Sequence, residues 1–249
     1  MPWPELSRMG AVIRRGQVHM WTAAPGTGKT ATTLNYISAP DVRANVSTMY
    51  FSPDSDIMTI APRMIGIMEN WEVRNVFDIF EDEKRAKDQD KVLELSKSLK
   101  HIQWCFDYPL TFDAVNLEME AYEAVHGHSP DLVVLDNVRD VKPDDGSDGG
   151  GDWQLQNSVV DFFKELAYKT GAAVVLLHHL TGDMEDGDKI PTLKSVSGKV
   201  GKNVRQVIGF FAPDPHSLGA SVLKNSSGQK HFEGEYVDFP WNRATQVIG

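Results

Sequence analysis

The sequence predicts an α/β fold: a mostly parallel twisted sheet flanked by helices, followed by C-terminal antiparallel strands. Three observations predict it. Short apolar runs of strand length alternate with stretches of helical periodicity from Gln17 to about residue 200. The sharpest turn signal, a glycine-bearing loop at 23–30, lies between one such run and one such stretch. Beyond residue 200 the apolar runs are separated by Pro and Gly turns instead of helices, which marks an antiparallel edge.

Each element follows from its pattern. Gln17–Thr22 reads as a strand and Lys29–Ser38 as a helix entered through the glycine turn. Val46–Phe51 is a second strand, and Ile57–Met68 has apolar residues at helical spacing. Glu81–Lys100 is dense in both signs of charge, with Val92, Leu93, Leu95 and Leu99 as its apolar stripe, and reads as a solvated helix or a poorly ordered one. His101–Phe106 is a strand, Phe112–His126 a helix, Leu132–Leu135 a buried strand, Trp153–Tyr168 a helix and Ala173–His178 a strand. Val204–Phe211, Ala220–Lys224 and His231–Phe239 read as the antiparallel strands. Lys142–Asp152 and Thr181–Lys202 break the rhythm and read as loops, both following strand ends of the parallel sheet, where ligands of such sheets bind.

Composition bounds the partners. With 249 residues and 41% hydrophobic content, one large domain with a sizeable core is expected, residues 16–249, preceded by a short arm at 1–15. The arm carries Trp3, Leu6 and Met9, suited to docking on a neighbouring subunit or else to fraying. Asp and Glu outnumber Lys and Arg by 35 to 25, a formal charge of −10, so any nucleic-acid contact must be a local basic patch. The single cysteine, Cys105, excludes an internal disulfide and multi-cysteine zinc sites and fits a reducing cytoplasm. No apolar run approaches the roughly 20 residues of a membrane span.

The motif with the clearest chemistry is Ala23-Ala24-Pro25-Gly26-Thr27-Gly28-Lys29-Thr30, set between strand and helix. Glycines let backbone N–H groups turn inward around phosphate oxygens, and the helix presents its positive end to them. Lys29 reaches the terminal phosphates and Thr30 is placed to hold Mg²⁺. Ala24 through Ala31 are therefore the expected nucleotide-binding residues, with ATP and Mg²⁺ as ligands, although Ala23 stands where the strict pattern has its first glycine.

Three further groups complete the chemistry of a triphosphatase. Asp136 ends the apolar run Leu132–Leu135 and is expected to ligate Mg²⁺ beside Thr30. Asp54, in Tyr50-Phe51-Ser52-Pro53-Asp54, is the first candidate to orient the attacking water, with Asp56 close behind; one of the two can instead cap the next helix. Their strand is expected to lie next to the phosphate loop. His178 and His179 end another buried strand and point to opposite faces, so they cannot share a metal ion, and His179 is preferred as a γ-phosphate sensor.

In their order these motifs resemble DnaB-type replicative helicases. Ala23–Thr30 resembles that family's A-x-P-x-x-G-K-T loop, Tyr50–Asp54 its F-S-L-E segment, and Leu132–Asp136 its metal strand. Leu177–Leu180 is similar to L-S-Q-L, Lys189–Leu193 with Ser197-Gly198 to D-K-x-P-x-L…S-G, and Leu223–Gly228 to K-N-R-N-G. The resemblance implies a RecA-like motor of the phage-encoded type, assembled as a homo-hexameric ring with ATP between subunits and single-stranded or forked DNA at its centre. It also implies a soluble protein of the host cytoplasm.

The departures are informative. Asp54 matches the family's catalytic glutamate one methylene shorter, and His179 replaces its glutamine, as in the paired histidines of plasmid RepA-type helicases. Ser226 matches the family's arginine finger, leaving Lys224 or Lys230 to compensate. Of the two loops matching the family's DNA-facing ones, 139–152 turns acidic, so Lys189, Lys194, Lys199, Lys202 and Arg205 are the expected DNA contacts. Two other readings stay open. One is a RecA/RadA-like regulatory or recombination ATPase that does not unwind, kept alive by the absent arginine. The other is a metal-dependent nuclease using Asp144, Asp145, Asp148 and Asp152, on a loop too glycine-rich to pre-organise two ions.

Overall fold

The computed structural model describes residues 1–82, 85–144, 152–226, 228 and 234–249; of residues 80, 81, 152 and 199 only the backbone is described. In chain order the strands are β1 (Val18–Ala23), β2 (Thr48–Phe51), β3 (Ile102–Cys105), β4 (Leu110–Thr111), β5 (Leu132–Leu135), β6 (Val141–Lys142), β7 (Ala173–His179), β8 (Gln206–Phe211), β9 (Ser217–Asn225), β10 (Val237–Asn242) and β11 (Val247–Ile248). The helices are α1 (Pro4–Arg8), α2 (Lys29–Ser38), α3 (Pro40–Asn45), α4 (Ile57–Glu69), α5 (Val73–Glu81), α6 (Ala86–Ser98), α7 (Phe112–His126) and α8 (Asp152–Thr170).

Among the described residues nine strands form one sheet in the order β11-β10-β9-β8-β1-β7-β5-β2-β3. From β3 across to β8 the pairs are parallel, and from β8 to β11 they are antiparallel. Helices on both faces make the central strands buried throughout, which is why Leu132–Leu135 and Ala173–Leu177 are unbroken apolar runs. Along β1 successive side chains serve opposite cores: Trp21 and Ala23 join Leu34, Ile37 and Tyr50, whereas Val18 and Met20 join Val133, Leu135 and Phe163.

Several expectations are corrected. Trp3 and Leu6 of the arm are buried, within the chain's own core beside Phe239, Trp241 and Ile248, and the Trp3 indole donates to the Ile248 carbonyl at 3.2 Å. A tryptophan with its N–H satisfied in cis is not presented to a neighbour. Within the charged stretch 81–100, α6 covers only Ala86–Ser98, and Glu81 ends the preceding α5, which periodicity did not separate; Val92 is buried but Leu93, one step round the helix, is 58% exposed. The last long strand, Val237–Asn242, runs past Phe239 through Pro240, and residues 231–233 of the expected His231–Phe239 strand lie outside the described residues. The segment after β7 is not open loop: Leu180 bridges to Val196, and short 3-10 turns at Leu193–Ser195 and Ser197–Asn203 lead into β8.

Candidate nucleotide site

β1, β7, β5 and β2 all end at the same edge of the sheet, and the expected catalytic groups follow those ends. The strand before Asp54 is not the neighbour of β1; β7 and β5 intervene, because the connection through α2 and α3 carries the chain across the sheet. Asp54 nonetheless acts electrostatically on Lys29, Asp136 and Asp140 from its loop.

The loop itself has the conformation phosphate binding needs. Gly26 and Gly28 take positive φ of 71° and 86°, the left-handed region that costs a side-chain-bearing residue. Gly28 caps α2, so the amides of Lys29, Thr30 and Ala31 open the helix without intrahelical acceptors. Ala24 and Thr27 are buried, while Pro25 and Gly26 are exposed at the tip.

Behind the loop the polar side chains interlock. The Thr30 hydroxyl donates to Asp136 Oδ2 at 2.7 Å, and the Tyr50 hydroxyl donates to the same oxygen at 3.1 Å. Lys29 Nζ lies 3.1 Å from His179 Nδ1 and donates to the Ala23 carbonyl at 3.4 Å. Burial dominates the acidities. It raises the Asp136 carboxyl to about 6, against the opposing hydrogen bond from Thr30, and lowers the Lys29 ammonium to about 8, against the pull of Asp136. Burial likewise raises Asp54 and Asp140, the latter also through repulsion from Asp54. It lowers both His178 and His179 to about 4, with Lys29 and Arg139 adding to the effect at His179.

Asp54 disfavours ionisation of both Asp136 and Asp140 beside the one Lys29 ammonium, an arrangement that fits a further hard cation. Asp136 and Thr30 are oxygen donors of the kind Mg²⁺ takes, already aligned on each other. Asp56 is committed elsewhere: its Oδ1 accepts from the Thr59 amide at 2.7 Å as the cap of α4, which leaves Asp54 as the carboxylate free of capping duty. His178 faces away from the loop, and the buried contact of its Nε2 with the Ser197 carbonyl, 3.0 Å, anchors the start of the turn that leads to β8.

In front of the loop lies a cavity of about 510 Å³ lined by Gly28, Lys29, Thr30, Arg63, Trp241 and Arg243, among others. The Trp241 ring stands over Gly28, where an added Cβ would come within 3.1 Å of it, and the Arg243 guanidinium stacks on that ring at 4.2 Å. Trp241, Arg243, Arg63 and Asp140 were not identified from the sequence. Arg63 had a legible signal, being the one charged residue between Ile57 and Met68. Another cavity, of about 450 Å³ between α4, α5 and α6, is lined without any charged side chain and offers no comparable chemistry.

The remaining predicted residues are scattered. Lys189 and Lys194 are exposed on the segment after β7, near the phosphate loop, where Gly187 packs directly on Thr27 and Ala24. Lys202 and Arg205 are exposed toward the opposite end of the sheet, and of Lys199 only the backbone is described. Lys224 donates to the backbone carbonyls of Lys202 and Gly201. Asp144 accepts from the Asp113 amide at 2.9 Å; Lys230, Asp145, Asp148 and the Asp152 side chain lie outside the described residues.

Comparison with known proteins identifies the family and agrees with the fold. Residues 3–210 match the model of the DnaB-like helicase C terminal domain. The Gene 65 protein of Mycobacterium phage L5 is 32% identical over 241 residues, covering 94% of this chain and 85% of the relative. The Gene 65 protein of Mycobacterium phage D29 is 33% identical over 220 residues, covering 85% and 89%. Among solved structures, the ATPase domain of G40P superposes with a TM-score of 0.83 at 14% identity, over 99% of this chain and 89% of that one. A structure described as that of a DnaB-like replicative helicase and its interactions with primase gives a TM-score of 0.81 at 14% identity, over 99% of this chain and 60% of that one.

Proposed function

The chain belongs to the family of DnaB-like helicase C-terminal domains, and from that premise we propose that it is an ATP-driven DNA motor. Identical subunits form a ring, a homo-hexamer by family likeness, with Mg²⁺-ATP bound at subunit boundaries and single-stranded or forked DNA in the middle. Its phage-encoded relatives support a role in phage DNA replication or recombination, in the host cytoplasm.

The observation that carries this reading is the convergence of Lys29, Thr30, Asp136 and His179 at one sheet edge behind a left-handed glycine loop. Loop amides and Lys29 hold the β- and γ-phosphates, and Trp241 with Arg243 supplies a platform beside them for the base and sugar. Thr30 and Asp136 would hold Mg²⁺, which when bound would neutralise charge on the phosphate oxygens. Asp54 orients a water and accepts its proton as the oxygen attacks the γ-phosphorus and the bond to the β-phosphate oxygen breaks; its raised pKa favours taking that proton. His179 meets the γ-phosphate, and Lys224 acts across the boundary on the neighbouring nucleotide. Lys189, Lys194, Lys199 and Lys202 track the DNA backbone, six copies giving steep salt dependence despite the acidic total.

One observation favours the non-unwinding ATPase: Ser226 occupies the finger position, and Lys224 is tied to carbonyls of its own chain. A strand-separation assay on forked DNA decides between them. The motor reading expects ATP-dependent unwinding that Lys29→Ala abolishes together with ATP turnover. Unwinding that survives in Lys29→Ala, or ATP hydrolysis by the wild type without any unwinding, contradicts it.

A further inference from the structure

At the end of the sheet opposite the phosphate loop, the starts of β1 and β8 and the end of β9 enclose a small cavity of about 110 Å³. Arg14, Gln17, His19 and Arg205 line it. Arg205 is fixed by its backbone: its amide donates to Val18 at 3.1 Å, and its carbonyl accepts from Ser226 at 2.9 Å. It therefore stands across the ladder from Ser226, with Lys224 close enough to feel its charge.

Among the described residues the charged side chains of this cavity are donors without acceptors. In a chain of formal charge −10, neither the Arg14 nor the Arg205 guanidinium has a hydrogen bond or ion pair among the described residues, whereas adjacent Arg15 pairs with Asp131. His19 adds a third donor. It is 2% exposed, and its Nε2 lies 3.0 Å from the Arg14 amide and 3.4 Å from the Arg14 carbonyl; in the tautomer whose Nε2 accepts from the nearer amide, the proton sits on Nδ1. That Nδ1 is buried with no partner. Gln17 has a buried amide oxygen without a donor, and a rotated amide would add N–H groups in its place. Two guanidinium forks and a buried N–H suit the oxygens of a phosphate.

The size and place of the cavity select the phosphate. It admits one phosphate group but not a sugar–phosphate chain, and Val12 is the one apolar side chain in its lining, so no base can be held there. The chain's own phosphate loop lies the length of β1 away, about 20 Å at 3.3 Å per residue. We propose that this cavity receives the terminal phosphate of a nucleotide held on the phosphate loop of a second copy of the chain, with Arg205 completing that neighbour's site. This rests on the motor reading above, and it assigns to Arg205 a role distinct from a DNA contact.

Subunit mixing tests it. Arg205→Ala alone is expected to lower ATP hydrolysis at least tenfold, in keeping with loss of a trans arginine. Lys29→Ala alone is inactive. Mixed in equal amounts, the two should recover roughly a quarter of wild-type activity, because in a head-to-tail ring one boundary in four pairs an intact loop with an intact Arg205. Arg205→Lys, which keeps charge and stem, should fall between Arg205→Ala and the wild type. Unchanged hydrolysis in Arg205→Ala, full activity in Arg205→Lys, or a mixture no better than its two components overturns the proposal. So does an Arg205→Ala protein that hydrolyses ATP normally but binds single-stranded DNA more weakly, since the cavity then serves the polynucleotide. A wild type without ATP turnover instead defeats the motor reading itself, and this proposal falls with it.

Discussion

The ammonium of Lys29 lies 3.1 Å from Nδ1 of His179, so the lysine donates and the imidazole accepts. Burial, with Lys29 and Arg139 beside it, lowers that ring's pKa to about 4, so it is neutral at physiological pH and keeps its proton on Nε2. The ring can thus steer Lys29 with one nitrogen and donate to a phosphate oxygen with the other.

From this pairing, His179→Ala is expected to reduce the ATP turnover number by about 10–100-fold, the scale of losing one positioned donor. His179→Gln, which both accepts and donates, should retain most of it. Steady-state hydrolysis checks this, and full activity in His179→Ala removes the histidine from the chemistry.

The pH dependence follows from Asp136. Its folded-state pKa is raised from 3.8 to about 6, so the nucleotide-free fold prefers the protonated carboxyl and loses stability as pH climbs between those values. Asp136→Asn removes that cost. It should melt higher than the wild type above pH 6, by a stability on the order of 1–3 kcal/mol, while losing magnesium-dependent hydrolysis. Wild-type uptake of Mg²⁺-nucleotide should weaken as pH falls through about 6, when the carboxylate is neutralised. Melting curves and titrations at pH 5, 6 and 7.5 read both effects; an unchanged melting midpoint in Asp136→Asn contradicts the account.

Much of this site was legible in local sequence. The β1–loop–α2 unit announces itself because an apolar run, two glycines and a helical periodicity are contiguous, and Asp136 because it ends a four-residue apolar strand. Tyr50 was legible only as part of a strand, since its hydrogen bond to Asp136 depends on β2 pairing with β5. Trp241 and Arg243 had no signal at all: they reach Gly28 from the C-terminal hairpin through the fold alone. The arm was misjudged for the same reason, its partners Phe239 and Ile248 lying more than two hundred residues away in sequence.

Gly187 supplies a prediction that no motif would. Its φ is +74° and an added Cβ would sit 2.3 Å from Thr27 Oγ1, so Gly187→Ala must push the phosphate loop as well as strain its own backbone. Nucleotide affinity should drop about tenfold, the scale of roughly 1.4 kcal/mol. Gly127→Ala is the matched control: φ is +73° with nothing within 4 Å, so it should cost stability at the end of α7 and leave affinity intact. Titration calorimetry on both variants separates contact from strain, and equal affinities in the two contradict the packing of Gly187 on the loop.

The most direct test is a calorimetric titration of the folded wild type and Lys29→Ala with Mg²⁺ and a non-hydrolysable ATP analogue. The structure predicts saturable binding by the wild type, lost when magnesium is withdrawn and reduced at least tenfold in Lys29→Ala. No uptake by the wild type, or equal uptake by both proteins, would contradict a triphosphate seated on the loop from Ala24 to Thr30.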